Sequence, residues 1–286
     1  MHKNQILLIF SCLAIALALF LFGKRNLTLK EALVEQKATI AKADTTQAIT
    51  LDFNPIIESV KSKLPATQLD SIAQIEQSLS NASSKEDQLK LTKDLAKLWA
   101  KTGYIEVAAH YQKATATLSP SSQEWGITGD QYATAFRIAN DSTLLTHYMD
   151  NAIQAYEKAV ELEPENLDYK INLAACYIDG KGEVMQGVFM LRDVTTKDST
   201  NVRANLILGR LALVSGQLTR SVRRLRHVIK GDPKNAEAYF YLGEALMGLD
   251  QKEEAVQTFN QCKKLVKNPA FLKEIEQRIN HILTNK

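Results

Sequence analysis

Apolar positions along the chain fall into two patterns. The first is a single run, Ile6 to Phe22, which carries no charge and is almost wholly apolar. It reaches the lower end of the roughly 17–25 residues that a membrane-spanning helix uses. Its exit, Leu21-Phe22-Gly23-Lys24-Arg25, lacks the small residues of a signal-peptide cleavage site. Cys12 lies inside the run rather than after it, which speaks against a lipid-modified cysteine. The run therefore predicts an uncleaved single-pass transmembrane helix in residues 1–23. Lys24, Arg25 and Lys30 outnumber Lys3, a count that would put the bulk of the chain in the cytoplasm. The short Lys3-bearing tail favours the opposite orientation, with the soluble part in a periplasm-like space. Residues 24–53, rich in Lys, Ala, Thr and Gln, have too thin an apolar face to bury much and read as a polar tether.

The second pattern begins near Asn54. Apolar residues recur at three- and four-residue spacing, as in Ile72, Ile75 and Leu79, and in Leu91, Leu95, Leu98 and Trp99. Stops follow at short intervals at Gly103, Pro120, Pro164, Gly180, Gly216, Pro233 and Gly248. Helices joined by short turns are predicted, with Thr67–Asp70 and Ser84–Asp87 as capping boxes. Composition agrees: 12 Gly and 6 Pro in 286 residues are too few for an all-β chain that turns every 8–12 residues or so. Three cysteines exclude a disulfide framework.

The helices repeat. Leu208 and Gly209 return as Leu242 and Gly243, and Ser221, Leu225 and Val228 as Ala255, Phe259 and Cys262, each pair 34 residues apart. One unit reads Tyr239-x2-Leu242-Gly243-x2-Leu246 and then Ala255-x3-Phe259-x2-Cys262. The unit before it reads Asn205-x2-Leu208-Gly209-x2-Ala212 and then Ser221-x3-Leu225-x2-Val228-x4-Pro233. Leu173-Ala174-x2-Tyr177 with Gly187-x3-Leu191-x2-Val194 is a third, one residue longer in the loop Asp179-Gly180-Lys181-Gly182. Trp125-x2-Thr128-Gly129-x2-Tyr132 with Ala152-x3-Tyr156-x2-Ala159-x4-Pro164 is a fourth, carrying an insertion between Tyr132 and Ala152. Leu95-Ala96-x2-Trp99 with Gly103, Tyr111 and Ala114 is a degenerate fifth. This pattern resembles the tetratricopeptide repeat (TPR) family, whose signature is W-x2-L-G-x2-Y followed by A-x3-F-x2-A and P.

The resemblance implies an all-α, right-handed solenoid of about five hairpins, at residues 88–121, 122–166, 167–201, 202–235 and 236–269. A helical cap region at 54–87 precedes the array and a capping helix at 270–286 follows it. Large residues fill the gaps between hairpins and small ones let helices approach, so that stacked neighbours bury what one hairpin cannot. The resemblance also implies a concave face lined by first helices that binds a protein or peptide. The matching positions are Ile171 and Ala175, Leu206 and Arg210, Phe240 and Glu244, with Arg203 and Met247 beside them. They predict an apolar stripe with a charged edge, suited to an apolar or amphipathic segment. The pairs Ile171-x3-Ala175 and Leu206-x3-Arg210 depart from the Lys-x3-Asn clamp that some members use for chaperone tails.

Charge is uneven. Residues 202–235 hold Arg203, Arg210, Arg220, Arg223, Arg224, Arg226, Lys230 and Lys234 against Asp232 alone. Residues 122–166 hold Glu124, Asp130, Asp141, Asp150, Glu157, Glu161, Glu163 and Glu165 against Arg137 and Lys158. Arg220, Arg223, Arg224, Arg226 and His227 form a basic surface on one helix, either a solvated face or a dock for an acidic partner or anionic lipid. No aromatic residues are interleaved with them, which argues against nucleic acid.

Catalytic chemistry is not legible. His2, His110, His147, His227 and His281 each stand more than four residues from another His or a Cys, so no local metal-ligand pair is expected. Cys176 and Cys262 fall at packing positions two repeats apart, too far for a disulfide. Gly180-Lys181-Gly182 lacks the Lys-Ser/Thr end of a phosphate loop. The sequence thus predicts a non-catalytic, membrane-tethered scaffold without cofactor or metal, with assistance to the assembly of envelope proteins as its expected role. Two alternatives stand beside it: a holder of unfolded substrates for a membrane enzyme or cytochrome maturation, and a self-assembling structural protein.

Overall fold

The computed structural model describes residues 51–284, which form helices and turns with no strand among them. The helices are α1 (Asn54–Lys61), α2 (Ala66–Asn81), α3 (Lys85–Thr102), α4 (Ile105–Leu118), α5 (Ser122–Ile138), α6 (Ser142–Leu162), α7 (Leu167–Ala175), α8 (Val184–Lys197), α9 (Val202–Val214), α10 (Leu218–Gly231), α11 (Ala236–Gly248), α12 (Lys252–Leu265) and α13 (Pro269–Thr284). From Phe53 onward they make one compact unit. Among the described residues no helix is long and apolar enough to cross a membrane. The run Ile6–Phe22, Cys12 and nearly all of the expected tether lie outside the described residues.

From α3 onward, successive helices pair: α3 with α4, α5 with α6, α7 with α8, α9 with α10, and α11 with α12. Local sequence fixes the starts. Ser84 accepts a hydrogen bond from the Asp87 backbone N–H at 3.0 Å, as the capping reading required. Thr67 does not cap. α2 begins at Ala66 behind Pro65, which has no N–H to satisfy and presets the backbone, so Thr67 lies inside the first turn. A caption the periodicity did not supply is Asn166, Asn201 and Asn235, which cap α7, α9 and α11 at matching repeat positions. Gly103 ends α3 in the left-handed region at φ 88°, where a side chain would be strained.

The core follows the repeat. Tyr156 of α6 packs over Gly129, Leu225 of α10 over Gly209 and Phe259 of α12 over Gly243. Between hairpins, Ile171, Ala174, Leu191, Val194, Ala204 and Leu208 pack into one cluster. At the C-terminal end, Ile275 and Ile282 of α13 join Leu246, Phe259 and Cys262.

Two irregularities refine the expected loops. The extra residue in the third unit is not taken up by a loop alone: α7 continues into a π-helical turn, Cys176–Gly180, which absorbs an added residue inside a helix. The insertion between Tyr132 and Ala152 lengthens the helices. α5 and α6 have 17 and 21 residues, whereas α11 and α12 have 13 and 14. The added turns of α6 bring His147 and Tyr148 next to Tyr132, and place His147 against Phe53.

Candidate functional site: two faces of the array

The first-helix face differs from the expected apolar stripe. Ile171 is fully buried in the inter-hairpin cluster, so it packs repeats together and lines no groove. Leu206 is half-buried against the C-terminal core. Phe240 is half-buried too, with its ring 5.0 Å from Phe271 of α13 and 5.9 Å from Phe259. Glu244 is paired with Arg278 of α13 at 2.8 Å. Burial pushes the Glu244 carboxyl above its usual range and Arg278 opposes that shift. Met247 packs on the same core, and Ala175 is half-buried. The physical reason is coverage: apolar residues at these positions are the ones that neighbouring helices, including α13, can remove from water.

The exposed layer of that face is polar and ordered. Arg203 of α9 donates to Asp168 at 3.0 Å and also to Asn172, both on α7. Asn172 in turn donates to Asp130 of α5 at 3.3 Å. Asp130 accepts the Tyr156 hydroxyl at 2.7 Å, and burial together with this bond raises the phenol well above its usual range. Further along, Arg210 pairs with Asp179 at 2.8 Å. Asp130, Asp168, Asn172 and Asp179 therefore belong to the face, and their spacing relative to Gly129 and Ala174 was the signal that could have shown it. Arg203, with side-chain exposure of 53%, and Arg210, with 30%, remain open to a ligand along with their carboxylate partners.

The second-helix face carries the basic residues. Arg220, Arg223, Arg226 and His227 of α10 are exposed. Arg226 pairs with Glu254 of α12 at 2.6 Å, and Arg220 donates to Gln217. Arg224 departs from the exposed set: it is half-buried and donates to the buried Asn205 at 2.8 Å. A shallow hollow of about 370 Å³ is lined by Thr219, Val222, Arg223, Arg226, His227 and Lys230.

Reactive groups are quiet. Among the described residues no three His, Cys, Asp or Glu side chains are grouped to hold a metal ion. Cys176 and Cys262 are free and buried. Burial pushes their thiols up to about 12 and about 11, so neither is a thiolate near neutral pH.

Comparison with known proteins places this geometry. Two tetratricopeptide-repeat models match, over residues 206–265 and 147–166. No curated protein matches the chain. Among solved structures, that of MamA from Desulfovibrio magneticus RS-1, from its residue 41 to the end, is 17% identical with a TM-score of 0.52. The match covers 64% of this chain and 97% of that one. PilW, described as a widely conserved type IV pilus biogenesis factor, is 17% identical with a TM-score of 0.55. It covers 69% of this chain and 86% of that one. At such identity the likeness carries the fold alone. With hairpins in repeat register, large side chains seated over small ones, and two matched stretches, the described part of this chain has the tetratricopeptide-repeat fold, and residues 147–166 and 206–265 are its matched repeats.

Proposed function

We propose that the chain is a non-catalytic scaffold that binds a protein partner on its first-helix face, held at a membrane by residues 6–22. The observation that supports it is the ladder Asp130–Asn172–Arg203–Asp168 with Arg210–Asp179 beside it. These side chains span three hairpins, are already ordered by one another, and keep polar groups open to solvent. Such a surface suits an extended segment with charged or amide groups rather than a wholly apolar one, because an apolar ligand would leave the ladder's charges desolvated and unmatched. The partner reading thus shifts from an apolar stripe toward a polar backbone-and-side-chain grip. Envelope proteins remain the partner class proposed, with the array on the periplasmic side.

A photo-crosslinking residue at position 175 of the full chain, expressed in its own cells, tests this; position 175 holds the same repeat position as Arg210 one unit earlier and takes no part in the ladder. One discrete partner, lost when Arg203 and Asp168 are both replaced by Ala, is the expected result. No adduct at 175, or the same adducts from a crosslinker at the opposite-face position 257, overturns it. Protease shaving of spheroplasts with a C-terminal tag reads the orientation separately: loss of the tag is expected, and protection overturns the periplasmic placement.

A further inference from the structure

Three consecutive second helices present different chemistry at the same repeat positions. On α6 the outward positions are Asp150, Gln154, Glu157 and Glu161; on α8 they are Met185, Phe189, Arg192 and Thr196; on α10 they are Thr219, Arg223, Arg226 and Lys230. All twelve are exposed. Met185 and Phe189 are 62% and 60% exposed, four residues apart on one side of α8, with Val184 beside them at 39%. The face therefore reads acidic on α6, apolar at Met185 and Phe189 with Arg192 beyond them on α8, and basic on α10. The outer edge on α12 turns acidic again at Glu253.

Charge on α10 is only partly matched within the chain. Arg226 has Glu254. Arg223 and Lys230, and Glu161 on α6, have no ion-pair partner among the described residues. Burial, with the guanidinium groups of Arg223, Arg192 and Arg220 nearby, holds Arg224 below the ordinary arginine range. Like charges are thus gathered beside an exposed Phe and Met, an arrangement that a partner with acid on one side and apolar groups next to it would relieve.

This chain itself has that partner. We propose that two copies associate through this face, about a two-fold axis lying along α8. A rotation about that direction sets Met185 and Phe189 against the same residues of the second copy. It keeps the helices at the same level, so α6 of each copy faces α10 of the other. Glu157 then stands level with Arg226 of the second copy, Glu161 with Lys230 of the second copy, and Gln154 with Arg223 of the second copy. A two-fold axis across the helices would instead set α6 on α6 and α10 on α10, acid on acid and base on base. The first arrangement also sets Arg192 of each copy near its own mate across the axis, one like-charge contact, against two acid–base pairs on each side of the axis, and on that balance charge selects it. The result is self-complementary, as an isologous interface must be. An anionic bilayer fits less well, because Asp150, Glu157 and Glu253 border the basic helix's neighbourhood on both sides and would be pressed against the headgroups.

The test uses the full chain kept in solution with a mild detergent, its mass read by sedimentation over a range of concentrations. A dimer is expected. Phe189→Asp, at a position whose exposure makes it harmless to folding, shifts it to monomer. Lys230→Glu together with Arg223→Glu weakens association at least ten-fold, and so does Glu161→Lys together with Gln154→Arg. Combining all four restores it, since each reversed group then meets its reversed mate on the other copy. A monomer at all concentrations overturns the proposal. So does a four-fold variant no better than the α10 double variant, the outcome an acidic partner protein or a lipid surface would give. In a Cys12→Ser background, Phe189→Cys forms an oxidised dimer while Gln257→Cys does not; the reverse order also overturns it.

Discussion

Phe259 lies directly over Gly243: a Cβ added to that glycine would stand 2.7 Å from two carbons of the ring. The same small-under-large contact recurs at Gly209, where Leu225 would stand 3.0 Å away. Two opposing effects meet at each site. Gly to Ala in a helix interior gains about 1 kcal/mol of propensity, and overpacking costs about 1–3 kcal/mol. The phenylalanine ring is rigid and fully buried, so Gly243→Ala is expected to be destabilising by roughly 1–2 kcal/mol net. Leu225 can give by a few tenths of an ångström, so Gly209→Ala is expected to be near neutral. Urea denaturation of the two variants checks the order; equal effects would show that ring rigidity does not set the cost.

These contacts were legible in the sequence because they repeat. Gly209 and Gly243, with Leu225 and Phe259, stand at one period, and a period of this kind encodes a stacking unit. What repetition does not encode was missed. The π-helical turn at Cys176–Gly180 and the long α5–α6 pair each occur once. Repeat position alone puts Ile171 and Phe240 on the groove face, because position within a repeat names a face, whereas burial depends on what covers that face. α13 covers Phe240, and the neighbouring hairpin covers Ile171. Arg203 and Arg210 lie on α9, a first helix, and their partners Asp168 and Asp179 come from the preceding repeat and appear only in three dimensions.

Acid is expected to loosen the N-terminal end. Phe53 stacks on His110 with centroids 4.9 Å apart and also meets His147 at 5.8 Å. Burial, and then His147 and Lys113, lower the His110 pKa. Burial and Lys113 lower that of His147, and Asp150 opposes. Both rings are therefore neutral in the folded chain at a pH where the unfolded chain already binds protons. Stability is full above about pH 6.5, the unfolded value, and falls as pH drops below it toward the lowered folded values. Replacing both histidines by Gln should flatten the melting temperature between pH 7 and pH 5. An unchanged slope would assign the acid sensitivity to other groups.

The last helix is expected to hold the array closed. Ile275 and Ile282 are buried, Phe271 covers Phe240, and Arg278 pairs with Glu244. Burying each isoleucine contributes about 1.5–3 kcal/mol. A chain ending at Asn268 should therefore lose several kcal/mol and expose an apolar end that self-associates. Far-UV circular dichroism through a thermal ramp, with light scattering, reads both. A truncated chain with unchanged melting would show that α13 is an appendage rather than a cap.

Stability and binding are expected to separate on the first-helix face. Phe240→Ala removes a ring packed against Phe271 and Phe259, at a cost of roughly 2–4 kcal/mol, so any loss of partner binding in that variant would be confounded with unfolding. Arg210→Ala removes an ion pair in which both side chains are partly exposed, at 30% and 56%. Such pairs contribute about 0–1 kcal/mol, and the array should melt within a few degrees of the parent chain. If the face takes a charged or amide-bearing segment, Arg210→Ala combined with Arg203→Ala should still lower partner recovery several-fold while the melting curve barely moves. Unchanged recovery would place the partner elsewhere on the array. Loss of recovery only in Phe240→Ala would mean that the apparent binding followed the fold and not the ladder.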